Sequence, residues 1–182
     1  MLLFRHQEIG LRTLEAEDAH LLAKWLSDPA VLEYYEGRDR VHNLEMVLDS
    51  FFGEPDGETR CIIQYKQQDI GYLQFYPVED EVLENYGYEQ FEGKVYGMDQ
   101  FIGETVYWNR GIGTNLLKET VNYLTATKGV DKIVMDPQAW NTRALKAYEK
   151  VGFVKKKLLA KHEWHEGAYR DCWLIEYERK ET

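Results

Sequence analysis

The stretch Tyr107–Thr114, which reads Tyr-Trp-Asn-Arg-Gly-Ile-Gly-Thr, most constrains the fold because it joins a glycine-rich turn to a helical pattern. The helix that follows, to about residue 127, has an apolar face formed by Leu117, Val121 and Leu124. Gly111 and Gly113 have no Cβ, so backbone N–H groups can approach an anion there. With the Arg110 cation, the stretch predicts a phosphate or pyrophosphate site, and a tight turn before a surface helix is the alternative.

Charge and hydropathy limit the partners of the chain. Its 182 residues include 32 Asp and Glu against 22 Lys and Arg, which gives a formal charge of −10. This acidity argues against nucleic acid and suits a cationic small molecule, although solubility alone also accounts for it. No apolar run is long enough for a membrane span or a secretory signal. We therefore expect a cytoplasmic protein without a membrane partner, and the sequence predicts no oligomeric state.

Hydrophobic periodicity predicts strands that alternate with helices in a single domain over residues 1–182, since the chain has no repeats or linkers. The predicted strands cover residues 8–14, 60–66, 70–76, 95–104, 132–136, 153–160 and 171–177. Besides the helix after the glycine turn, the predicted helices cover residues 17–27, 30–35, 44–52 and 141–151. The acidic stretch 79–92 has no clear period, and it is interpreted either as a solvated, mobile loop or as a surface that holds a polyamine.

The histidines and cysteines predict neither a metal site nor a covalent intermediate. The segment 162–167 is one residue short of the His-Glu-x-x-His zinc pattern, so it is interpreted as a hairpin loop without a metal. Cys61 and Cys172 lie in strand-like segments and are expected to be reduced core thiols, while a pairing between them stays open. No arrangement of Cys, Ser and His for an acyl-enzyme is visible, which favours direct group transfer.

An aspartate in the middle of a predicted strand indicates a functional position. Asp99 and Gln100 interrupt the otherwise apolar strand 95–104, and aspartate has poor strand propensity. A bulge that re-aims side chains near a site accounts for this position. A turn at the end of the strand is the alternative, but it does not explain a carboxylate in mid-strand.

The order of elements, with a phosphate turn after the fourth strand, resembles the GNAT superfamily of N-acetyltransferases. The turn motif of that family is Gln/Arg-x-x-Gly-x-Gly/Ala, and this chain keeps the glycines but has Trp108 at the first position. The second family signature is matched in full by Asn141, Ala144, Tyr148, Gly152 and Phe153. The resemblance implies an α/β (α+β) fold with a mixed, mostly antiparallel central sheet that is splayed between strands 4 and 5 and flanked by helices.

A closer resemblance, over about residues 8–178, is to aminoglycoside 6'-N-acetyltransferases, including the acetyltransferase half of the bifunctional aminoglycoside-modifying enzyme. It is carried by the segments 33–38, 70–72, 96–103 and 136–137. It implies acetyl transfer from acetyl-CoA to an aminoglycoside 6'-amine in a ternary complex. The alternatives are an acyltransferase for another small amine, such as a polyamine or siderophore precursor, and a non-catalytic acyl-CoA-binding or drug-binding module. The presence of Asp99 and Tyr148 argues against the last alternative.

The resemblance also implies a role for each matching residue. Asp99 matches the carboxylate that takes a proton from the amine, which an ammonium nucleophile requires, and Tyr148 matches the general acid near the thioester sulfur. The expected substrate-binding residues are Tyr34, Tyr35, Asp99 and Asp136. The expected cofactor-binding residues are Phe101, Ile102, Arg110, Gly111, Ile112, Gly113, Thr114, Asn141 and Ala144. From periodicity alone, Tyr148 is a core residue, and Asp136 before Pro137 starts a turn.

Overall fold

The structure is a computed structural model that describes residues 1–181. Its strands are β1 (Leu2–His6), β2 (Ile9–Thr13), β3 (Thr59–Tyr65), β4 (Gln68–Pro77), β5 (Val95–Ile102), β6 (Lys132–Met135), β7 (Val154–His165) and β8 (Ala168–Glu178). Its α-helices are α1 (Ala19–Trp25), α2 (Pro29–Leu32), α3 (Leu44–Phe51), α4 (Asp80–Tyr86), α5 (Ile112–Ala126) and α6 (Thr142–Val151). Two short 3-10 helices cover Ala16–Asp18 and Thr105–Tyr107.

The strands form one mixed sheet in the order β1-β2-β3-β4-β5-β6-β8-β7. The pairs β1–β2, β2–β3 and β6–β8 are antiparallel. The pair β5–β6 is parallel, from Val95 opposite Lys132 to Gly97 opposite Val134. Asp99 follows the last of these parallel pairs along β5. The splay between the fourth and fifth predicted strands, which are β5 and β6 here, stays a prediction. The mixed α/β sheet flanked by helices confirms the predicted fold class.

By the proximity of its Cα atoms, the chain divides into two compact units. The first unit contains Met1–Gln74, Asp99–Gly113 and His165–Gly167. The second unit contains Phe75–Met98, Thr114–Trp164 and the chain from Ala168 onward. The organisation of residues 1–182 as a single acetyltransferase domain stays a prediction, and Thr182 lies outside the described residues.

The core of the first unit forms around α1. The predicted stripe of Leu22, Trp25 and Leu26 is at most 1% exposed, and it packs with Ile62, Tyr72 and Phe101. Gly103 lies against the indole of Trp25, where an added Cβ would be 2.2 Å from the ring. Only glycine therefore permits this approach of the backbone to the ring.

The core of the second unit includes the apolar face predicted for α5, since Leu117, Val121 and Leu124 are all buried. A separate cluster contains Val95, Val134 and Leu174. In α6 the buried residue is Leu145, whereas Tyr148 is only half-buried. The prediction of a core tyrosine from periodicity is therefore only partly right.

The first half of the acidic stretch 79–92 is a helix rather than a loop, whereas residues 87–92 have no regular secondary structure. Residues Asp80–Tyr86 form α4, which ends at Gly87 with a φ of 85° in the left-handed region. Leu83 and Tyr86 pack against the apolar cluster of the second unit. The carboxylates of the helix stay exposed to solvent, so an amphipathic helix forms although its polar residues outnumber its apolar ones.

Two hairpins differ in detail from the predictions. Strand β7 continues through His165, so the expected loop over 162–167 shrinks to the turn Glu166-Gly167 with φ values of 47° and 86°. The turn between β3 and β4 is Lys66-Gln67, with φ values of 50° and 66°. Positive φ at both central residues matches the twist of the flanking strands. Strand β1, which precedes β2 across another short turn, was not predicted.

Candidate active site

The turn before α5 leads directly into the first turn of that helix. Asn109 and Gly111 have φ values of 60° and 76°, and the helix begins at Ile112. Nothing lies within 4 Å of a Cβ built on Gly111, so its conformation rather than crowding favours glycine there. The first N–H groups of a helix have no acceptor within it, and the helix dipole adds positive potential at the same end.

Arg110 is exposed beside this turn and lies near two aromatic rings. Its guanidinium carbon is 5.3 Å from the ring centre of Tyr107 and 5.8 Å from that of Tyr65. The two rings pack edge to face with their centres 5.6 Å apart. Cation–π attraction therefore restrains the guanidinium group of Arg110 near these two rings. A contact between Arg110 and a phosphate stays a prediction.

Trp108, at the motif position where Gln or Arg is usual, ties the turn to the end of β5. Its indole N–H donates to the carbonyl of Ile102 at 2.9 Å. Phe101, the preceding residue, is 8% exposed, and its ring packs against Trp25 and Tyr35. The ring of Phe101 is therefore largely occupied by the core, and a contact between Phe101 and a cofactor stays a prediction.

Tyr34 and Tyr35 are adjacent in the chain but have different surroundings. Tyr34 is 39% exposed, and its ring stands edge-on to Trp108 with 5.8 Å between centres. Tyr35 is half-buried, and its ring lies 4.6 Å from that of Phe101. Tyr34 therefore has an exposed ring that a ligand can reach, while Tyr35 packs against the core of the first unit.

The segment after the two tyrosines is held by an ion pair. The backbone N–H of Arg38 donates to Glu166 Oε1 at 3.1 Å, and its guanidinium Nη2 donates to Oε2 at 2.9 Å. The Arg38 guanidinium lowers the pKa of the Glu166 carboxyl to about 2. Because Glu166 lies in the turn between β7 and β8, this pair ties the aromatic segment to that turn across the full physiological pH range.

Asp99 is half-buried in β5, and its orientation is set by a chain of hydrogen bonds. Gln74 Nε2 donates to Asp99 Oδ2 at 2.9 Å, and Tyr72 Oη donates to Gln74 Oε1 at 2.5 Å. Tyr72 is fully buried, and this burial raises the pKa of its hydroxyl far above the usual range, so the hydroxyl stays a donor. The Gln74 amide must therefore turn its NH₂ group toward Asp99.

Asp136, directly after β6, is held by two side chains on other elements. His162 Nε2 lies 2.8 Å from Asp136 Oδ2, and Tyr86 Oη donates to the same oxygen at 3.2 Å. The hydrogen bond to Asp136 raises the pKa of His162 above its ordinary value of 6.5. Asp136 is thus more than the first residue of a turn, because it anchors a polar group on β7 and another on α4.

Helix α6 carries the second family signature, whose residues also account for the ends of the helix. The Asn141 side-chain oxygen accepts the N–H of Ala144 at 3.3 Å, which makes Asn141 the N-cap. Gly152 ends the helix with a φ of 120°. Tyr148 is half-buried, and its ring centre lies 6.1 Å from that of Phe153. The roles of Asn141, Ala144 and Tyr148 toward a cofactor stay predictions.

The cysteines are poorly suited to nucleophilic chemistry. Cys61 and Cys172 are both free thiols with no exposed surface. Burial raises the pKa of each to about 12, so neither forms a thiolate at neutral pH.

Within residues 1–181, no group of His, Cys, Asp and Glu side chains has the arrangement of a metal site. None of the helices in the same range is long and apolar enough to cross a membrane.

The predicted site residues fall in both units. The first unit contains Tyr34, Tyr35, Asp99 and the turn up to Gly113, and the second contains Thr114, Asp136, Asn141, Ala144 and Tyr148. The sequence did not identify Gln74 and Tyr72, which orient Asp99, or His162 and Tyr86, which hold Asp136. The polar Gln74 within an apolar strand was the available signal for the first pair. No local signal pointed to the second pair.

Residues 15–161 match the acetyltransferase (GNAT) domain, so the chain belongs to the GNAT family of acetyltransferases. Among individual proteins, it is similar to the aminoglycoside N(6')-acetyltransferase type 1 of Klebsiella pneumoniae. The two are 27% identical over 154 residues, which cover 83% of this chain and 76% of the relative.

Solved structures with the same fold include enzymes for two classes of amine. Aminoglycoside acetyltransferase AAC(6')-Ib in complex with coenzyme A and kanamycin superposes with a TM-score of 0.73 at 25% identity, over 94% of this chain and 95% of that one. Spermidine N-acetyltransferase from Vibrio cholerae in complex with CoA and spermine has a TM-score of 0.76 at 16% identity, over 95% and 96% of the chains. The second likeness supports the fold alone.

Proposed function

We propose that the chain transfers an acetyl group from acetyl-CoA to the 6'-amine of aminoglycoside antibiotics and thereby confers resistance to them. The observation that carries this proposal is Asp99, a carboxylate in mid-strand whose orientation Gln74 sets by a hydrogen bond of 2.9 Å. The similarity to an aminoglycoside N(6')-acetyltransferase over 83% of the chain supports the choice of substrate. So does the likeness to the structure that contains coenzyme A and kanamycin.

Acetyl-CoA would supply the activated thioester, and the chain would manage the protons. Asp99 Oδ atoms accept the proton of the substrate ammonium, directly or through water, because a protonated amine has no free electron pair. The Tyr148 hydroxyl donates a proton at the sulfur. The bond between the amine nitrogen and the acetyl carbon would form, the C–S bond of the thioester would break, and coenzyme A would leave as a thiol. No step requires a nucleophile from the chain, which agrees with two cysteines that are buried and protonated.

The cofactor would lie along the turn and its flanking elements. The N–H groups of Gly111–Thr114 suit the pyrophosphate, and Arg110 supplies a full positive charge beside them. The backbone of Phe101 and Ile102, with Asn141 and Ala144 on α6, would contact the pantetheine arm.

The antibiotic would be recognised through its rings and its amines. Tyr34 presents an exposed aromatic ring that suits a sugar ring, and we propose that the half-buried Tyr35 next to it in the chain also binds the substrate. Asp99 and Asp136 supply negative charge for the amines, and the formal charge of −10 attracts a polycation at long range. We propose a cytoplasmic location, where acetyl-CoA is available.

A polyamine acetyltransferase is the second candidate, and the exposed carboxylates of α4 favour it. Asp80, Glu81 and Glu84 lie on one short helix and are exposed to solvent. A linear polyamine needs such spaced carboxylates but has no sugar ring to pack on an aromatic side chain, whereas an aminoglycoside has both amines and sugar rings.

Acetyl-CoA turnover with kanamycin, a 6'-hydroxy aminoglycoside and spermidine distinguishes these functions. We expect rapid turnover with kanamycin, little with the 6'-hydroxy compound, and little with spermidine. Thermal shifts on the same three compounds separate binding from turnover, since a non-catalytic module would be stabilised without releasing coenzyme A. Preference for spermidine over kanamycin in kcat/KM would reject the aminoglycoside assignment.

A further inference from the structure

The carboxylate assigned to substrate amines already has a titratable partner. His162 Nε2 lies 2.8 Å from Asp136 Oδ2, and both side chains are only about one-third exposed, at 32% and 34%. The Tyr86 hydroxyl lies 3.2 Å from the same oxygen, and its ring centre is 6.3 Å from the imidazole. Three elements of the second unit, α4, β7 and the end of β6, therefore converge on one carboxylate.

The charges around His162 favour its protonated form. Asp136 and the neighbouring Glu163 both raise the pKa of His162, against the opposing effect of burial. Tyr86 is the titratable group that faces it from α4. On β8, the carboxylate of Asp171 acts on the Cys172 thiol together with Asp136 and Glu163, and that thiol is neutral. The imidazole therefore has carboxylates and neutral groups around it.

We infer that His162 is a specificity-determining residue whose imidazolium occupies Asp136 and competes with the ammonium groups of the substrate. This inference rests on the proposed function, in which Asp136 binds a substrate amine. Two cations at one carboxylate repel each other, so binding of the ammonium disfavours the imidazolium and releases its proton. The neutral imidazole still donates its Nε2–H to Asp136 and keeps the carboxylate oriented.

The direction of the pH effect follows from the protonation of His162. Because the pKa of His162 lies above 6.5, its imidazolium is present below that raised value and is lost as the pH rises through it. Competition therefore acts at low pH and disappears at high pH. The KM for the aminoglycoside should fall as His162 loses its proton, apart from the titration of the antibiotic's own amines.

His162→Gln removes the titration and retains an N–H donor, while His20→Gln on the exposed face of α1 is the matched control. The ratio of the kanamycin KM of the wild type to that of His162→Gln should be about two to five at low pH, the size of a partly exposed ion pair. It should approach unity once His162 is neutral. The titration of kanamycin's own amines affects both KM values equally, so it cancels in this ratio. The KM of His20→Gln should equal that of the wild type at every pH.

Isothermal titration calorimetry gives an independent measurement. Kanamycin binding in two buffers with different ionisation enthalpies reports the number of protons exchanged. Near the pKa of His162, the wild type and His20→Gln should release more protons than His162→Gln. His162→Asn provides a second neutral variant, and thermal melts of all variants establish that each is folded.

The outcomes separate the two proposals. If kanamycin is acetylated normally but wild type and His162→Gln share one KM profile and one proton count, the inference about His162 is wrong while the proposed function stands. If the wild type does not acetylate kanamycin, or if Asp136→Asn leaves the kanamycin KM unchanged at every pH, the role of Asp136 fails and the inference fails with it.

Discussion

Asp99 within β5 and Asp136 directly after β6 are both half-buried carboxylates, yet their partners differ in one essential respect. Asp99 accepts a hydrogen bond from the Gln74 amide, which is neutral at every pH. Asp136 lies against His162, which gains a charge as the pH falls. Asp99 therefore has a partner that fixes its orientation at every pH. Asp136 has a partner whose protonation changes the net charge of the pair.

This difference suits the different tasks that we propose for the two carboxylates. A proton acceptor needs a constant orientation toward the reacting atom, because small displacements cost much of the rate. An anchor for a charged amine needs net negative charge and tolerates some displacement. We therefore expect changes around Asp99 to act mainly on kcat and changes around Asp136 to act mainly on the KM of the antibiotic.

The substitution Asp99→Asn should have the largest effect. It is nearly isosteric but cannot accept the amine's proton, so kcat should fall by roughly 100- to 10,000-fold, the range of one acid–base group. Acetyl-CoA should still bind, as equilibrium titration would measure, because the phosphate turn is a separate structure. If saturating kanamycin restores most of kcat, Asp99 is an anchor like Asp136 and the contrast between the two carboxylates disappears.

Tyr148→Phe tests whether the effect on kcat extends to a residue in the same unit as Asp136. The change keeps the ring against Phe153 and deletes only the hydroxyl. We expect kcat to fall by roughly 10- to 1,000-fold with little change in the kanamycin KM, because the acid acts at the sulfur. Steady-state kinetics of the folded variant measures this, and an unchanged kcat would leave Tyr148 as a packing residue.

Gln74→Met sharpens the contrast by removing the partner of Asp99 and leaving its carboxylate in place. The side chain keeps its length but loses the amide that orients Asp99 at 2.9 Å. We expect a fall in kcat of about tenfold, consistent with the loss of one hydrogen bond to a charged group. Tyr72→Phe is the matched variant, since it keeps Gln74 but frees the amide to rotate. Equal loss of kanamycin affinity in Gln74→Met would contradict an orienting role.

Arg110→Ala should have the smallest effect. It is a reference for both carboxylates because it should act on acetyl-CoA and not on kanamycin. Its guanidinium lies over the rings of Tyr65 and Tyr107 and is exposed to solvent. The KM for acetyl-CoA should rise by about three- to tenfold, as the loss of one exposed charge-assisted contact predicts. The kanamycin KM should stay constant. An unchanged affinity for acetyl-CoA, measured at low and high salt, would remove Arg110 from the phosphate site.

Local sequence patterns predicted most of the elements, since the stripe in α1, the apolar face of α5 and the position of α6 depend only on residues within one segment. The polarity of α4 hid its helical pattern, although Gly87 gave a recognisable end signal. Strand β1 escaped prediction because its turn uses Gln7 at a φ of 54° without glycine or asparagine. In β7, the signal of the Glu166-Gly167 turn was present but was assigned to a longer loop.

The sequence predicted only those site residues that belong to a motif or that interrupt a local pattern. The sequence marked Asp99 and the glycine turn because each breaks the pattern of its own segment. It did not mark the pairing of Asp136 with His162, which are 26 positions apart and meet only through the sheet. Register and side-chain direction decide such contacts, and neither follows from the local periodicity of one strand.

The two buried cysteines make the stability of each unit separately measurable. Cys61 lies in β3 of the first unit and Cys172 in β8 of the second, and neither has any exposed surface. An alkylating reagent can therefore reach a sulfur only while the surrounding strands are open. When closing is faster than alkylation, the rate for each thiol reports the free energy of its own opening. Peptide mass spectrometry distinguishes the alkylated sites, so the unmutated protein yields two local unfolding free energies without an introduced probe.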